Sequence, residues 1–131
     1  MIDKIEFGEI DYEKIPDDFM AQAKKERISF LNKPEAHYFG AFDNGKLVGS
    51  ICVILNKNGK NGKLKSSYVL KDYRGNGIYT NLNKTALEYA KEHKVKQLTL
   101  NCLTSSVGVH VKAGAVEWKK SKTIAYLKYD F

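Results

Sequence analysis

Arg74-Gly75-Asn76-Gly77 stands directly before a run of helical spacing, in the stretch YRGNGIYTNL. A glycine inside a helix costs about 1 kcal/mol relative to alanine, so two of them at its threshold argue that bare backbone is needed there. The chemistry such a turn supports is anion binding. Successive amides at a helix start point outward, and the helix dipole adds roughly half a positive charge. The missing Cβ lets phosphate oxygens approach those amides. Absent patterns narrow the ligand. The nucleotide-hydrolysing pattern GxxxxGK[ST] does not occur. Gly75 and Gly77 half match the dinucleotide pattern GxGxxG, but Thr80 stands at the third glycine. The acidic residue expected about 20 residues on, at the end of the next strand, is missing from QLTLN. A nicotinamide or flavin cofactor is thereby disfavoured.

The other reactive side chains form no constellation. The histidines, the cysteines and the scattered carboxylates show no metal-ligand spacing, so no metal is expected. No Ser/His/Asp order is persuasive. Cys52 and Cys102 are too few for a disulfide framework and read as small buried hydrophobes in a reducing cytoplasm. His37, at a strand start, and His93, near a helix C-terminus, read as structural. Ser105 and Ser106 read as a helix N-cap.

These residues need elements to position them. Alternation over 2–10 predicts a first strand. Pro16 fits the first turn of a helix carrying Phe19, Met20, Ala23, Ile28 and Leu31. Strands are expected over 37–42 and 46–55, joined by the tight turn Asp43-Asn44-Gly45, and over 63–70 after a polar turn. Then the period changes. Ile78, Leu82, Ala86, Tyr89 and Ala90 give a helix running to about Lys94. A strand over 96–102, a short helix over 105–112 stopped by Gly114, and strands over 115–119 and 123–129 complete the order β-α-β-β-β-α-β-α-β-β. The strands at 63–70 and 96–102 are joined through a helix and should run parallel.

The chain's 131 residues, 43% of them hydrophobic, suffice for one domain, 1–131, with its own core. No apolar run approaches the ~20 residues of a membrane span, and MIDKIEFGEIDYEK lacks the basic-then-apolar order of a signal peptide. Residues 1–43 carry six Lys/Arg and ten Asp/Glu, a net of −4, whereas 44–131 carry sixteen and five, a net of +11. The basic part suits an anionic partner, either a phosphorylated cofactor or nucleic acid, although lysine for solubility explains it as well.

The stretch Ser66 to Ile78 (SSYVLKDYRGNGI) resembles the signature of the GNAT superfamily of acyl-CoA-dependent N-acyltransferases. There a strand ends in an aliphatic residue and [Q/R]-x-x-G-x-[G/A] opens a helix. Arg74 and Gly77 fill the first and fourth positions, and Tyr79 departs from the small residue usual at the sixth. His110-Val-Lys-Ala-Gly114-Ala115 resembles the closing Y-x-x-x-G-[F/A] motif, with His110 at the tyrosine. The resemblance implies an α/β (α+β) GNAT-like fold: a mixed sheet of about seven strands with three to four helices, its fourth and fifth strands parallel and splayed. It implies acetyl transfer from acetyl-CoA to an amine, in a small molecule or a peptide, by a monomer or homodimer. By position, Ser67, Tyr68 and Val69 would meet the pantetheine arm, and the amides of Gly75, Asn76, Gly77, Ile78 and Tyr79 the pyrophosphate, with Arg74 shaping the loop. His110 would donate a proton to the departing thiolate. No general base declares itself, and Glu35 is the nominal candidate. The alternative is a nucleic-acid-directed protein on the same fold, stacking bases on aromatics set among lysines (Tyr68, Tyr73, Trp118, Tyr126, Tyr129).

Overall fold

The computed structural model describes residues 4–131. The strand expected over 2–10 is found as β1, Ile5–Ile10; Ile2 and Asp3 lie outside the described residues. β1 pairs antiparallel with β2, Ala36–Asp43, which turns into β3, Lys46–Leu55, through Asn44 (φ 49°) and Gly45 (φ 82°). That pair supplies the left-handed backbone a tight hairpin requires. β4, Asn61–Val69, completes an antiparallel meander.

α2, Ile78–Glu92, then crosses to β5, Gln97–Leu103. Ile78, Leu82, Ala86, Leu87 and Ala90 recur at helical spacing and are buried, which explains both the helix and the face it lays on the sheet. Gly49 of β3 permits the close approach. A Cβ there would lie 3.0 Å from Leu82 Cδ1 and 3.1 Å from Ile78 Cγ2. α3, Val107–Lys112, leads to β6, Val116–Lys120, and β7, Ile124–Asp130. β7 inserts between β5 and β6, so the seven-stranded order is β1-β2-β3-β4-β5-β7-β6.

The parallel junction is short. β4 and β5 pair only at Asn61–Lys63 with Gln97–Thr99. Beyond it β4 keeps to β3 as far as Val69, while β5 keeps to β7 as far as Leu103. A wedge opens between the strands, toward their C-terminal ends.

One expected element is shorter than its pattern. α1 spans Asp17–Lys25, with Phe19 and Ala23 buried and Pro16 at the cap. Ile28 and Leu31 are not part of it, because Arg27 takes φ 65° and ends the helix. Ile28 packs against the core from irregular chain. There Tyr38 holds Leu31 by accepting from its N–H (2.7 Å) and donating to its carbonyl (3.0 Å).

Candidate active site

The turn that opens α2 is bare on its outer side. Gly75 (φ 82°) and Gly77 (φ 75°) take left-handed backbone, which other residues enter at a cost of about 1–2 kcal/mol. A Cβ on Gly75 would meet nothing within 4 Å, and one on Gly77 only Asn81 Nδ2 at 3.9 Å, so the space in front of the turn is open. Among the described residues, no backbone or side-chain group accepts from the amides of Gly75 through Thr80. Gly77 caps the helix without a side-chain bond. A glycine-opened, uncapped helix start with six free N–H groups suits an anionic group such as a phosphate. The side chain of Asn76 folds back instead, donating to the carbonyls of Tyr73 (3.0 Å) and Arg74 (3.2 Å).

Arg74 braces the turn. Its Nε donates to the Val69 carbonyl at 2.9 Å, its Nη2 to Glu26 at 2.7 Å, and its guanidinium lies 5.6 Å from the Tyr68 ring centre. It thus ties the turn to the end of β4 and the end of α1. The hydrogen bond from Arg74 holds the Glu26 carboxyl below its usual range. Of the three strand-end residues, Val69 has its carbonyl committed to Arg74, while Ser67 and Tyr68 stand where the wedge opens.

A bulge aims that strand end. The pairing of β3 with β4 shifts between Ser50 and Cys52, and Ser66 takes φ 55°. Such backbone is uncommon for a residue with a Cβ and persists where neighbours enforce it. Ser66 Oγ donates to the Ser29 carbonyl at 2.6 Å, and the buried Ser50 Oγ donates to the Ser66 carbonyl at 2.8 Å.

Turn and wedge share one cavity of about 550 Å³. Ser67, Tyr68, Gly75, Gly77 and Tyr79 line one side, and Leu103, Ser105, Ser106 and Val109 the other. A second hollow of about 410 Å³, at the β1–β2 edge and lined by Glu9, Asp11 and Glu13, lies away from the turn. Ser106 occupies the N-cap position of α3, as its type suggests, but its side chain makes no cap bond, and both Ser105 and Ser106 line the cavity. Ile28 and Glu26 also line the cavity. The sequence gives no sign of these residues, since their loops meet only in the fold.

His110 departs most from expectation. It is fully buried, with Nε2 2.9 Å from the Tyr79 hydroxyl and Nδ1 2.7 Å from the Tyr129 hydroxyl. Burial lowers its pKa to about 4, opposite to the rise that proton donation near neutral pH requires. It does not line the cavity; Tyr79 stands between. Burial also pushes Tyr79 and Tyr129 up to about 12. Asn83 Nδ2 donates to the Tyr129 oxygen at 3.0 Å, and Asn83 Oδ1 is buried without a partner.

The remaining candidates resolve simply. Glu35 is exposed, and its carbonyl bonds Leu55 N, at the end of the sheet opposite to the wedge. It cannot serve as the base. His37 and His93 flank Tyr89, with ring centres 5.2 and 4.0 Å away, as structural residues should. Cys52 is fully buried, whereas Cys102 is only half-buried, on the strand beside the wedge. Among the described residues, no group of three His, Cys, Asp or Glu could hold a metal ion, and no helix is long and apolar enough to cross a membrane.

A mixed seven-stranded sheet, parted between two parallel strands and faced by a glycine-opened helix start, defines the GNAT fold. Residues 5–115 match the acetyltransferase (GNAT) family, and the chain belongs to that family. Among solved structures, the IAA acetyltransferase from Bacillus cereus ATCC 14579 is similar at 16% identity and a TM-score of 0.77, covering 98% of this chain and 100% of that one. A GNAT-family acetyltransferase from Streptococcus pneumoniae gives 16% identity and 0.75, covering 98% and 100%. Escherichia coli ElaA gives 12% and 0.72, covering 97% and 100%. At such identities the likeness carries the fold. No curated protein matches the chain significantly.

Proposed function

We propose that this protein is an N-acyltransferase that moves an acetyl group from acetyl-CoA to an amine. The observation that carries this reading is the continuity of one cavity from the free amides of the α2 start to the β4–β5 wedge. Bound acetyl-CoA supplies a thioester, whose transfer forms a C–N bond and breaks a C–S bond. The amides from Gly75 onward hold the anionic end. The bulge at Ser66 turns Ser67 and Tyr68 toward the cavity, where extended backbone can meet an amide-bearing arm. Glu26 is the one carboxylate among the described lining residues, and its bond to Arg74 makes it a poor base. The acceptor therefore loses its proton to water or arrives neutral.

Calorimetry with acetyl-CoA tests the reading. Binding at micromolar concentration is expected, and no heat at millimolar concentration would overturn it. A second reading has one observation behind it. Exposed Trp118 lies 5.8 Å from the Tyr126 ring, and Lys119 Nζ lies 5.3 Å over that ring, a surface suited to stacked bases and phosphates. Salt-sensitive retardation of single-stranded oligonucleotides, lost in Trp118→Ala, is its expected result.

A further inference from the structure

The two positions at which this chain departs from the family motifs are bonded to each other. Tyr79, in place of a small residue, and His110, in place of a tyrosine, meet at 2.9 Å across 31 residues of sequence. We infer that the Tyr79 hydroxyl is the proton donor to the departing sulfur, oriented toward the β4–β5 wedge by a buried chain through His110, Tyr129 and Asn83. The inference rests on the acyl-CoA reading above.

The direction of the chain follows from its far end. Asn83 Nδ2 donates to the Tyr129 oxygen. An amide nitrogen accepts nothing, so the Tyr129 proton goes to its other neighbour, His110 Nδ1. A neutral imidazole has one acceptor and one donor, so the ring proton sits on Nε2 and is donated to the Tyr79 oxygen. The Tyr79 hydrogen is then free to leave the chain toward the cavity, where Tyr79 stands beside Ser67. His110, Asn83 and Tyr129 are all at most 2% exposed, so water does not compete for these bonds.

The surroundings keep the device neutral. The groups facing Tyr79 are Ser67 on β4, Cys102 on β5, His110 on α3 and Tyr129 on β7. Burial raises Cys102 and Tyr129 and lowers His110, so none carries charge near neutral pH. As the C–S bond breaks, its electron pair stays on sulfur, and Tyr79 O–H gives sulfur its proton. The phenolate formed is held by the Nε2–H of His110. It regains a proton from solvent, which has taken the one lost by the amine. His110 is a positioning residue in this scheme and Tyr79 the catalytic one.

Two measurements test it without an acceptor. The ¹⁵N spectrum of the ligand-free protein, with His110→Gln identifying the ring signals, should show Nε2 protonated and Nδ1 bare between about pH 6 and 8. A ring protonated at Nδ1 would reverse the chain, draw the Tyr79 hydrogen into His110 and overturn the inference. The second measurement is the ionisation of bound coenzyme A, followed by thiolate absorbance. A donor at sulfur stabilises the thiolate, so Tyr79→Phe should move the thiol upward by about one pH unit, roughly tenfold, with the affinity of the neutral thiol form little changed. Equal ionisation in parent and variant, with coenzyme A bound to both, overturns the inference and leaves the acyl-CoA reading standing. Failure of the parent to bind coenzyme A overturns both.

Discussion

The His110 ring is held between two phenols, 2.9 Å from the Tyr79 hydroxyl and 2.7 Å from the Tyr129 hydroxyl. Its pKa falls from 6.5 to about 4 because burial penalises the charged form. The unfolded chain takes up this proton near 6.5, the fold only near 4. Between those values the unfolded state binds more protons. Stability is therefore full above about pH 6.5 and declines as the pH drops toward 4, by on the order of 3 kcal/mol. Urea midpoints of parent and His110→Gln, taken at about pH 7.5 and pH 4.5, should show the drop in the parent and a smaller one in the variant. Equal drops would assign the pH dependence to other groups.

Gly77→Val should abolish measurable binding of coenzyme A. Valine is strained at φ 75°, and its branched side chain would occupy the open space before the turn. The folded state should lose about 1–2 kcal/mol, so thermal melting alongside calorimetry separates a blocked site from an unfolded protein. Binding equal to the parent would assign the glycines to backbone geometry alone.

Arg74→Ala should weaken coenzyme A binding less than Gly77→Val, because the Arg74 guanidinium, though it lines the cavity, is committed to the Val69 carbonyl and Glu26, while the amides are free. The Arg74–Glu26 pair is 44% exposed on each side chain, so solvent screens it. A double-mutant cycle with Glu26→Gln should give a coupling of about 1 kcal/mol or less. A loss of affinity matching that of Gly77→Val would mean that Arg74 itself contacts the phosphates.

Ser50→Ala should destabilise the fold by about 1–2 kcal/mol, since it strips a buried bond from the Ser66 carbonyl within a strained bulge. It should also weaken coenzyme A binding, although Ser50 does not line the cavity. Chemical denaturation and calorimetry read the two effects separately. Unchanged affinity would show that the bulge holds its shape without this bond.

The parallel crossing of β4 and β5 and the glycine turn that opens α2 are legible because both rest on local signals, glycine placement and a change of hydrophobic period. α1 was overextended because apolar Ile28 and Leu31 mimic helical spacing, while the left-handed Arg27 that stops the helix leaves no compositional mark. The fate of His110 was hidden for a different reason. Burial depends on Tyr79 and Tyr129, which lie 31 and 19 residues away and reach it only once α2, α3 and β7 have assembled. Ser105 and Ser106 follow the same logic, being cap-like by type and lining the cavity by position.

The brevity of the β4–β5 junction has a mechanical meaning. Three residue pairs, together with the bonds from Lys96 N and Gln97 N to the Lys60 carbonyl, form a spine between two leaves of sheet. A ligand seated in the wedge works far from that spine, with the leverage of the whole free length of both strands. Small changes at 60–63 or 96–99 would be magnified at the mouth. The residues of that spine lie outside the cavity lining, so the two leaves are joined away from the site.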